Sequence, residues 1–339
     1  MGNRLSRHLM TNDKPAYLDA YSSGKLSEVA KQAFKMLESC SICPRKCKVN
    51  RLKNETGFCK TPLLPKVCSF LPHHGEEPPI SGSKGSGTIF FSNCNMGCVY
   101  CQNYEFSQLG QGREVDFEEL AGFMLDLQGL GCHNINFVTP THIMPQILKS
   151  LILAVEKGLN IPLVYNSSGY ELPEMIALLD GIIDIYLPDM RYSDNELAKK
   201  YSCAPGYPEY NRRSIKEMHR QVGRAQIDNE GLIKRGLIIR HLVLPNDIAG
   251  TDSIMKFIAE EISSQTYISL MSQYLPYHKA HEFPGISRRL TEKEYTQARQ
   301  AMSQWGLSCG WIQESYGSER FAGIHLKPSL IKDETKRVP

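Results

Sequence analysis

No run of about 18 apolar residues occurs in this 339-residue chain, so none of its segments is expected to span a membrane. Charge of neither sign prevails. The formal balance is +3, and composition gives no case for nucleic-acid binding. Met1-Gly2-Asn3-Arg4-Leu5-Ser6 lacks the apolar core of a secretory signal. Gly2 and Ser6 fit the short myristoylation pattern, but no second membrane signal accompanies them, and no membrane attachment is expected. An even cysteine count is missing as well, since there are eleven. Tight C-x2-C and C-x3-C groups in a chain of this size argue for metal ligation in a reducing cytoplasm, not for a disulfide framework. The length allows one large domain or two ordinary ones.

What is present centres on Ser92-Asn93-Cys94-Asn95-Met96-Gly97-Cys98-Val99-Tyr100-Cys101-Gln102-Asn103, directly after the strand-like run Thr88-Ile89-Phe90-Phe91. Soft iron takes thiolate ligands, and a [4Fe–4S] cluster normally takes four. Three thiolates on one short loop leave one iron open for a ligand that is also a substrate. Short cysteine motifs also occur in zinc knuckles and in iron–sulfur sites completed by a distant cysteine. The strand placement and the neighbours Gln102-Asn103 favour the open cluster.

C-x3-C-x2-C with an aromatic before the last cysteine resembles the signature of radical S-adenosylmethionine (SAM) enzymes. The resemblance implies that Cys94, Cys98 and Cys101 hold a [4Fe–4S] cluster whose open iron chelates the amino and carboxylate groups of SAM. It further implies that the reduced cluster splits the sulfonium to methionine and a 5′-deoxyadenosyl radical, which abstracts a hydrogen atom.

A second group, Cys40, Cys43, Cys47 and Cys59, lies within twenty residues, with Pro44 and Gly57 to turn the chain. Four thiolates suit structural zinc and an auxiliary iron–sulfur cluster equally, and spacing does not decide between them. His73 or His74 is an alternative ligand. The expected organisation is an N-terminal metal-binding extension over residues 1–80, a core over 81–310, and a C-terminal segment over 311–339.

From Ser86 onward strands and helices alternate. Strands are expected at Thr88–Ser92, Asn134–Thr139, Ile161–Asn166, Ile183–Leu187, Leu237–Leu244 and Tyr267–Ser272, with a last short one at Trp311-Ile312-Gln313. The helices between them include Asp116–Leu130, opened by an Asp116/Glu119 capping box, and His142–Lys157, with Pro145 in its first turn. Gln226–Lys234 is expected to form a small hairpin or loop. Six β/α units with largely apolar strands imply a parallel sheet with right-handed crossovers. Periodicity allows a doubly wound sheet or a partial barrel; the resemblance implies a partial (β/α)6 TIM-like barrel.

Ligands of such folds meet the carboxyl ends of the strands. There the chain sets Thr139, Asn166 and Ser168, then Asp189-Met190-Arg191, Arg240, and Leu275-Pro276-Tyr277-His278. Several of these resemble the glycyl-radical-enzyme activating enzymes typified by pyruvate formate-lyase activating enzyme. That resemblance implies that Tyr100 lies over the adenine and that Arg240 and His278 contact the SAM ribose or carboxylate. Asp189 ends the fourth strand as in that pattern, and the polar groups Asn103, Thr139, Asn166 and Ser168 of the cluster loop and strand ends complete the expected cofactor-binding set. A structural Arg240–Asp189 bridge is the alternative for that arginine. Two features depart from the pattern. The Gly-Gly-Glu-type segment that holds the SAM amino group is replaced by Val138-Thr139-Pro140-Thr141-His142, and the extra cysteines precede the barrel. The expected hydrogen donor is a glycyl radical enzyme, or else a small molecule or peptide. Flavodoxin or ferredoxin is the expected reductant.

Overall fold

The computed structural model of the chain describes residues 14–313. The Gly2/Ser6 pattern and all but Trp311–Gln313 of the C-terminal segment lie outside them. Two helices come first, α1 (Ala16–Ser22) and α2 (Lys25–Lys35), followed by the cysteine-bearing loops, strand β1 (Lys66–His73) and the short helix α3 (Pro78–Ser81). Strand β2 (Ser86–Phe91) then leads through α4 (Tyr104–Ser107) and β3 (Arg113–Glu114) to α5 (Phe117–Gly129). The repeating part follows: β4 (Ile135–Val138), α6 (Met144–Glu156), β5 (Leu163–Ser167), α7 (Pro173–Leu178), β6 (Ile185–Pro188), α8 (Asn195–Ser202) and α9 (Tyr207–Val222). The β7/β8 hairpin (Gln226–Ile227, Ile233–Leu242), α10 (Thr251–Phe257), β9 (Tyr267–Met271), α11 (Glu292–Gln304) and β10 (Gly310–Ile312) complete it.

One sheet runs β10-β9-β8-β6-β5-β4-β2-β1-β3. The pairings from β2 through β10 are parallel. This is the expected partial barrel, with β10 as a further parallel strand. It begins differently from the sequence reading. β1 pairs antiparallel with β2, so the N-terminal extension is hydrogen-bonded into the core sheet. Pro72 disguises that strand. It is tolerated because β3 pairs only with Lys66 and Val67, leaving the Pro72 edge unpaired.

Helix ends are set where local chemistry demands. Asp116 accepts from the Glu119 backbone at 2.7 Å while the Glu119 side chain accepts from the Asp116 backbone at 3.1 Å. Thr291 and Glu294 repeat the device at α11. Each such cap is worth about 1 kcal/mol.

Alternation along the parallel strands decides what the barrel holds. Ile89, Phe137, Tyr165, Tyr186, Ile239 and Ile268 face the helices in one large core. Their alternates face inward. The apolar ones among them, Val164, Ile185, Leu187, Ile233 and Ile238, pack around Ile80. Ile80 is fully buried, and Asn134 Nδ2 donates to its carbonyl at 2.9 Å. The Gly75–Ser81 segment thus closes the barrel's lower end. Toward the carboxyl ends the inward positions turn polar. No helix among the described residues is long and apolar enough to cross a membrane.

Two expectations follow. Ile80→Ala should destabilise the chain by about 3 kcal/mol in urea unfolding; a loss below about 1 kcal/mol would mean that the closing segment is not part of the core. Glu171 is buried and accepts from Thr141 Oγ1 and Tyr165 OH, both at 2.7 Å. Burial nonetheless pushes its carboxyl up to about 6. The folded state therefore holds this proton more tightly than the unfolded chain. That contribution is full below the ordinary value of 4.5 and is lost as pH rises through about 6. Relative to Glu171→Gln, the wild type should lose about 2 kcal/mol between pH 4.5 and 7.5; a pH-independent difference would count against it.

Candidate active site

β2 delivers the chain to the mouth of the barrel, and the loop after it is pinned from several sides. Gly97 and Val99 N–H donate to the carbonyls of Ser202 and Tyr201 at 2.9 Å, and Asn95 Nδ2 donates to the Tyr170 carbonyl at 2.7 Å. Gln108 Nε2 donates to the Cys98 carbonyl at 2.8 Å. The three sulfurs meet donors suited to thiolates. Met96 N–H lies 3.4 Å from Cys94 Sγ, Ser107 Oγ 3.2 Å from Cys101 Sγ, and Arg191 Nη1 3.2 Å from Cys98 Sγ. Burial pushes the Cys94 thiol up to about 12 and raises Cys101 as well. Without a cation Cys94 and Cys101 therefore favour the neutral thiol, and a soft metal is what turns such groups into thiolates. Among the described residues no three His, Cys, Asp or Glu side chains close on one point as ligands of a single ion do. The cysteine triad is included. In a cubane each thiolate takes a different iron, so its sulfurs stand further apart than around one ion.

Below the loop, one polar position from each of five consecutive parallel strands enters the barrel. These are Thr88, Asn136, Asn166, Asp189 (just past β6) and Arg240, and all but Arg240 are buried outright. Arg240 Nε donates to Asp189 Oδ1 at 2.8 Å and Nη2 to Asn166 Oδ1 at 2.6 Å. Arg191 grips the other Asp189 oxygen at 2.6 and 2.9 Å. Burial alone would raise the Asp189 carboxyl, but the two guanidiniums overcome it and hold the group below the usual carboxylate range. A further carboxylate comes from outside the barrel strands. Glu76 accepts from Asn136 at 3.1 Å and Asn166 at 3.3 Å, and lies 3.5 Å from Arg240. A continuous polar path therefore runs from Glu76 through Arg240, Asp189 and Arg191 to Cys98. Burial raises both Glu76 and its neighbour Glu77.

The other expected residues fall around this path. Tyr100 is buried beside Cys98, its hydroxyl 2.7 Å from that of Tyr192 and its ring edge-on to Tyr274. Asn103 precedes α4 without capping it. Thr139 follows β4 across a cis peptide bond. Ser168 is buried at the end of β5 with its hydroxyl unpartnered. His278 stacks on Tyr104 at 4.6 Å on the lip, and no bond joins it to the Arg240–Asp189 pair. Gly169 has φ +76°, and a Cβ there would lie 2.1 Å from the Asp189 carbonyl oxygen. Only glycine lets the β5 loop pass so close to that aspartate. Cys40, Cys43, Cys47 and Cys59 come together as the lining of a separate small cavity, with His142 at its wall. His73 and His74 are not part of that lining.

The sequence model of the radical SAM superfamily matches residues 88–225, from β2 through α9. The uncharacterized protein MJ0674 of Methanocaldococcus jannaschii is 34% identical over 291 residues, which cover 83% of this chain and 78% of that one. The chain belongs to the radical SAM superfamily. Members of the superfamily use a [4Fe–4S] cluster and SAM, and this site fits both. Cys94, Cys98 and Cys101 would hold the cluster. SAM carries a sulfonium, an ammonium and a carboxylate, a net positive charge, and the interior sets Glu76, Glu77 and Asp189 against two arginines. Asn136 Oδ1 and Ser168 Oγ are buried without partners. Among solved structures, methylornithine synthase is similar at 16% identity and a TM-score of 0.44, over 66% of this chain and 63% of that one. The chain thus spans less than two thirds of that enzyme. The [FeFe]-hydrogenase maturase HydG from Carboxydothermus hydrogenoformans is similar at 13% identity and a TM-score of 0.45, over 91% and 71%.

Sequence reasoning named Arg191 only as part of a segment and missed Glu76 as a site residue. Arg191 places a positive charge against Cys98 Sγ. Arg191→Met should therefore shift the cluster's reduction midpoint, followed by EPR in a potential titration, to lower values, and Arg191→Lys should recover part of the shift. An unchanged midpoint in Arg191→Met would show that the contact does not tune the cluster.

Proposed function

We propose that this enzyme cleaves SAM reductively and directs the resulting radical to a C–H bond presented at the barrel mouth, in the manner of glycyl-radical-enzyme activating enzymes. The cluster and SAM, when bound, supply one-electron cleavage of the sulfonium carbon–sulfur bond and a 5′-deoxyadenosyl radical. The chain's own residues bind and orient. Cys94, Cys98 and Cys101 ligate, Arg191 and Arg240 fix Asp189, and the closed lower end keeps water out. Tyr100, Asp189, Arg240 and His278, at positions that resemble those of activating enzymes, and the polar groups Asn103, Thr139, Asn166 and Ser168 form the cofactor-binding set. The observation that carries the reading is the path from Arg240 through Asp189 and Arg191 to Cys98, which ties the cluster loop to the barrel interior. The electron comes from a flavodoxin or ferredoxin in a cytoplasmic setting.

A second reading, hydrogen abstraction from a small molecule or peptide, is favoured by Glu76. This carboxylate stands on the barrel floor, outside the expected cofactor-binding set. The test is anaerobic. The protein is reconstituted with iron and sulfide, reduced with dithionite and given SAM, and 5′-deoxyadenosine is measured. Slow production that disappears in Cys98→Ala is expected. No production from a cluster-loaded, SAM-bound protein would refute the cleavage activity. A glycyl radical EPR signal on a co-purified glycyl radical enzyme separates the two readings, since its absence alongside SAM cleavage removes the activating role alone.

A further inference from the structure

The N-terminal cysteines carry more information in the fold than in the sequence. Cys40, Cys43, Cys47 and Cys59 line one cavity together with Arg51, Gly57 and His142. The backbone around them is bent to suit. Lys46 and Lys48 on either side of Cys47, and Lys60 after Cys59, all have positive φ. Such conformations persist in non-glycine residues only where the surroundings impose them. The Phe58 N–H donates to Cys47 Sγ at 3.5 Å. A Cβ on Gly57 would lie 2.6 Å from Cys47 Sγ, so this residue is kept bare to let the Cys59 arm close on the Cys47 arm.

Two buried side chains at the cavity lack the partners their chemistry requires. Arg51 is 1% exposed. Its guanidinium donates to the carbonyls of His142 at 2.7 Å and Pro62 at 3.1 and 3.2 Å. None of the ion pairs among the described residues gives it a carboxylate. A buried charge without a counter-charge costs several kcal/mol, and among the residues lining the cavity the groups that can supply one are the cysteine sulfurs as thiolates. His142 is the second. Its Nε2 lies 3.0 Å from the Ser92 carbonyl oxygen, which can only accept, so Nε2 carries the proton. Nδ1 then keeps its lone pair, buried and unpartnered.

The geometry points to a second iron–sulfur cluster held by Cys40, Cys43, Cys47 and Cys59, with Arg51 as its buried counter-cation. Zinc is the other tenant of a four-cysteine set, and the metal count separates the two. Arg45, two residues after Cys43, donates from Nε to the Asn95 carbonyl at 2.9 Å and also to the Cys203 carbonyl, and its guanidinium lies 3.5 Å over the Phe58 ring. One side chain spans the two cysteine loops.

The test counts metal in the full chain after anaerobic reconstitution, with zinc measured alongside iron and acid-labile sulfide. Wild type should hold about eight irons, and a Cys94→Ala/Cys98→Ala/Cys101→Ala variant about four irons and four sulfides. Adding Cys43→Ser and Cys59→Ser should abolish the remainder while circular dichroism stays native. About four irons in the wild type, or zinc in their place in the triple variant, overturns the proposal even if that variant folds poorly. In the triple background, Arg51→Gln should lower the remaining cluster's reduction midpoint; an unmoved midpoint removes the counter-cation role.

Discussion

Asp189 is the point on which the interior turns. It is buried between two guanidiniums, and a buried carboxylate in that position has no water to fall back on. Losing the aspartate leaves both guanidiniums without their principal counter-charge, an error on the order of 3–5 kcal/mol. Each partner also leads elsewhere: Arg191 to the cluster loop, Arg240 to Asn166 and to Glu76. The aspartate's placement in turn needs the bare Gly169 against its backbone. Loop, barrel strands and N-terminal segment are therefore held by one set of mutually dependent charges. A rigid polar interior of this kind holds reacting groups in register, because no member can move without exposing another.

Sulfur and arginine meet repeatedly in this molecule. Arg191 addresses Cys98 Sγ directly, Arg51 stands unpaired at the N-terminal cysteines, and Arg45 lies between the two loops. Arginine suits these positions. Its charge survives burial, and its fork can bond several acceptors from one place. A lysine would offer a point charge in each case, without the planar stack that Arg45 makes on Phe58.

The repeating half of the fold could be read from sequence because its signals are local. Buried strands of five or six residues, capping residues at Asp116 and Thr291, and a three-cysteine motif on one loop each announce themselves within a dozen positions. The strand at Lys66–His73 did not, since Pro72 and Cys68 read as loop and the pairing partner lies beyond it in sequence. Nor did Glu76, Arg51 or His142. What marks them is burial beside groups 60 to 164 residues away, as in Glu76 with Asn136 and Arg240. No periodicity encodes that. His73 and His74 were the visible histidines beside the cysteines, yet the one at the cavity is His142, carried there by the turn after β4. The inward polar positions were half legible. Alternation predicts which residues share a face, but not that the lower part of that face is apolar and the upper part charged.

The stopper formed by Glu76 and Ile80 bears on how this chain can be divided. The superfamily match begins at residue 88, after it. A protein trimmed to that boundary would keep its parallel strands and its cysteine loop. It would lack the side chain that Val164, Ile185, Leu187, Ile233 and Ile238 enclose, and it would strip Arg240 of an acidic neighbour. Its barrel would be a tube open at both ends, wetted from below. The catalytic unit of this chain accordingly starts well upstream of its recognisable motif, and an excised or transplanted version has to carry the segment from Lys66 onward to remain a vessel for radical chemistry.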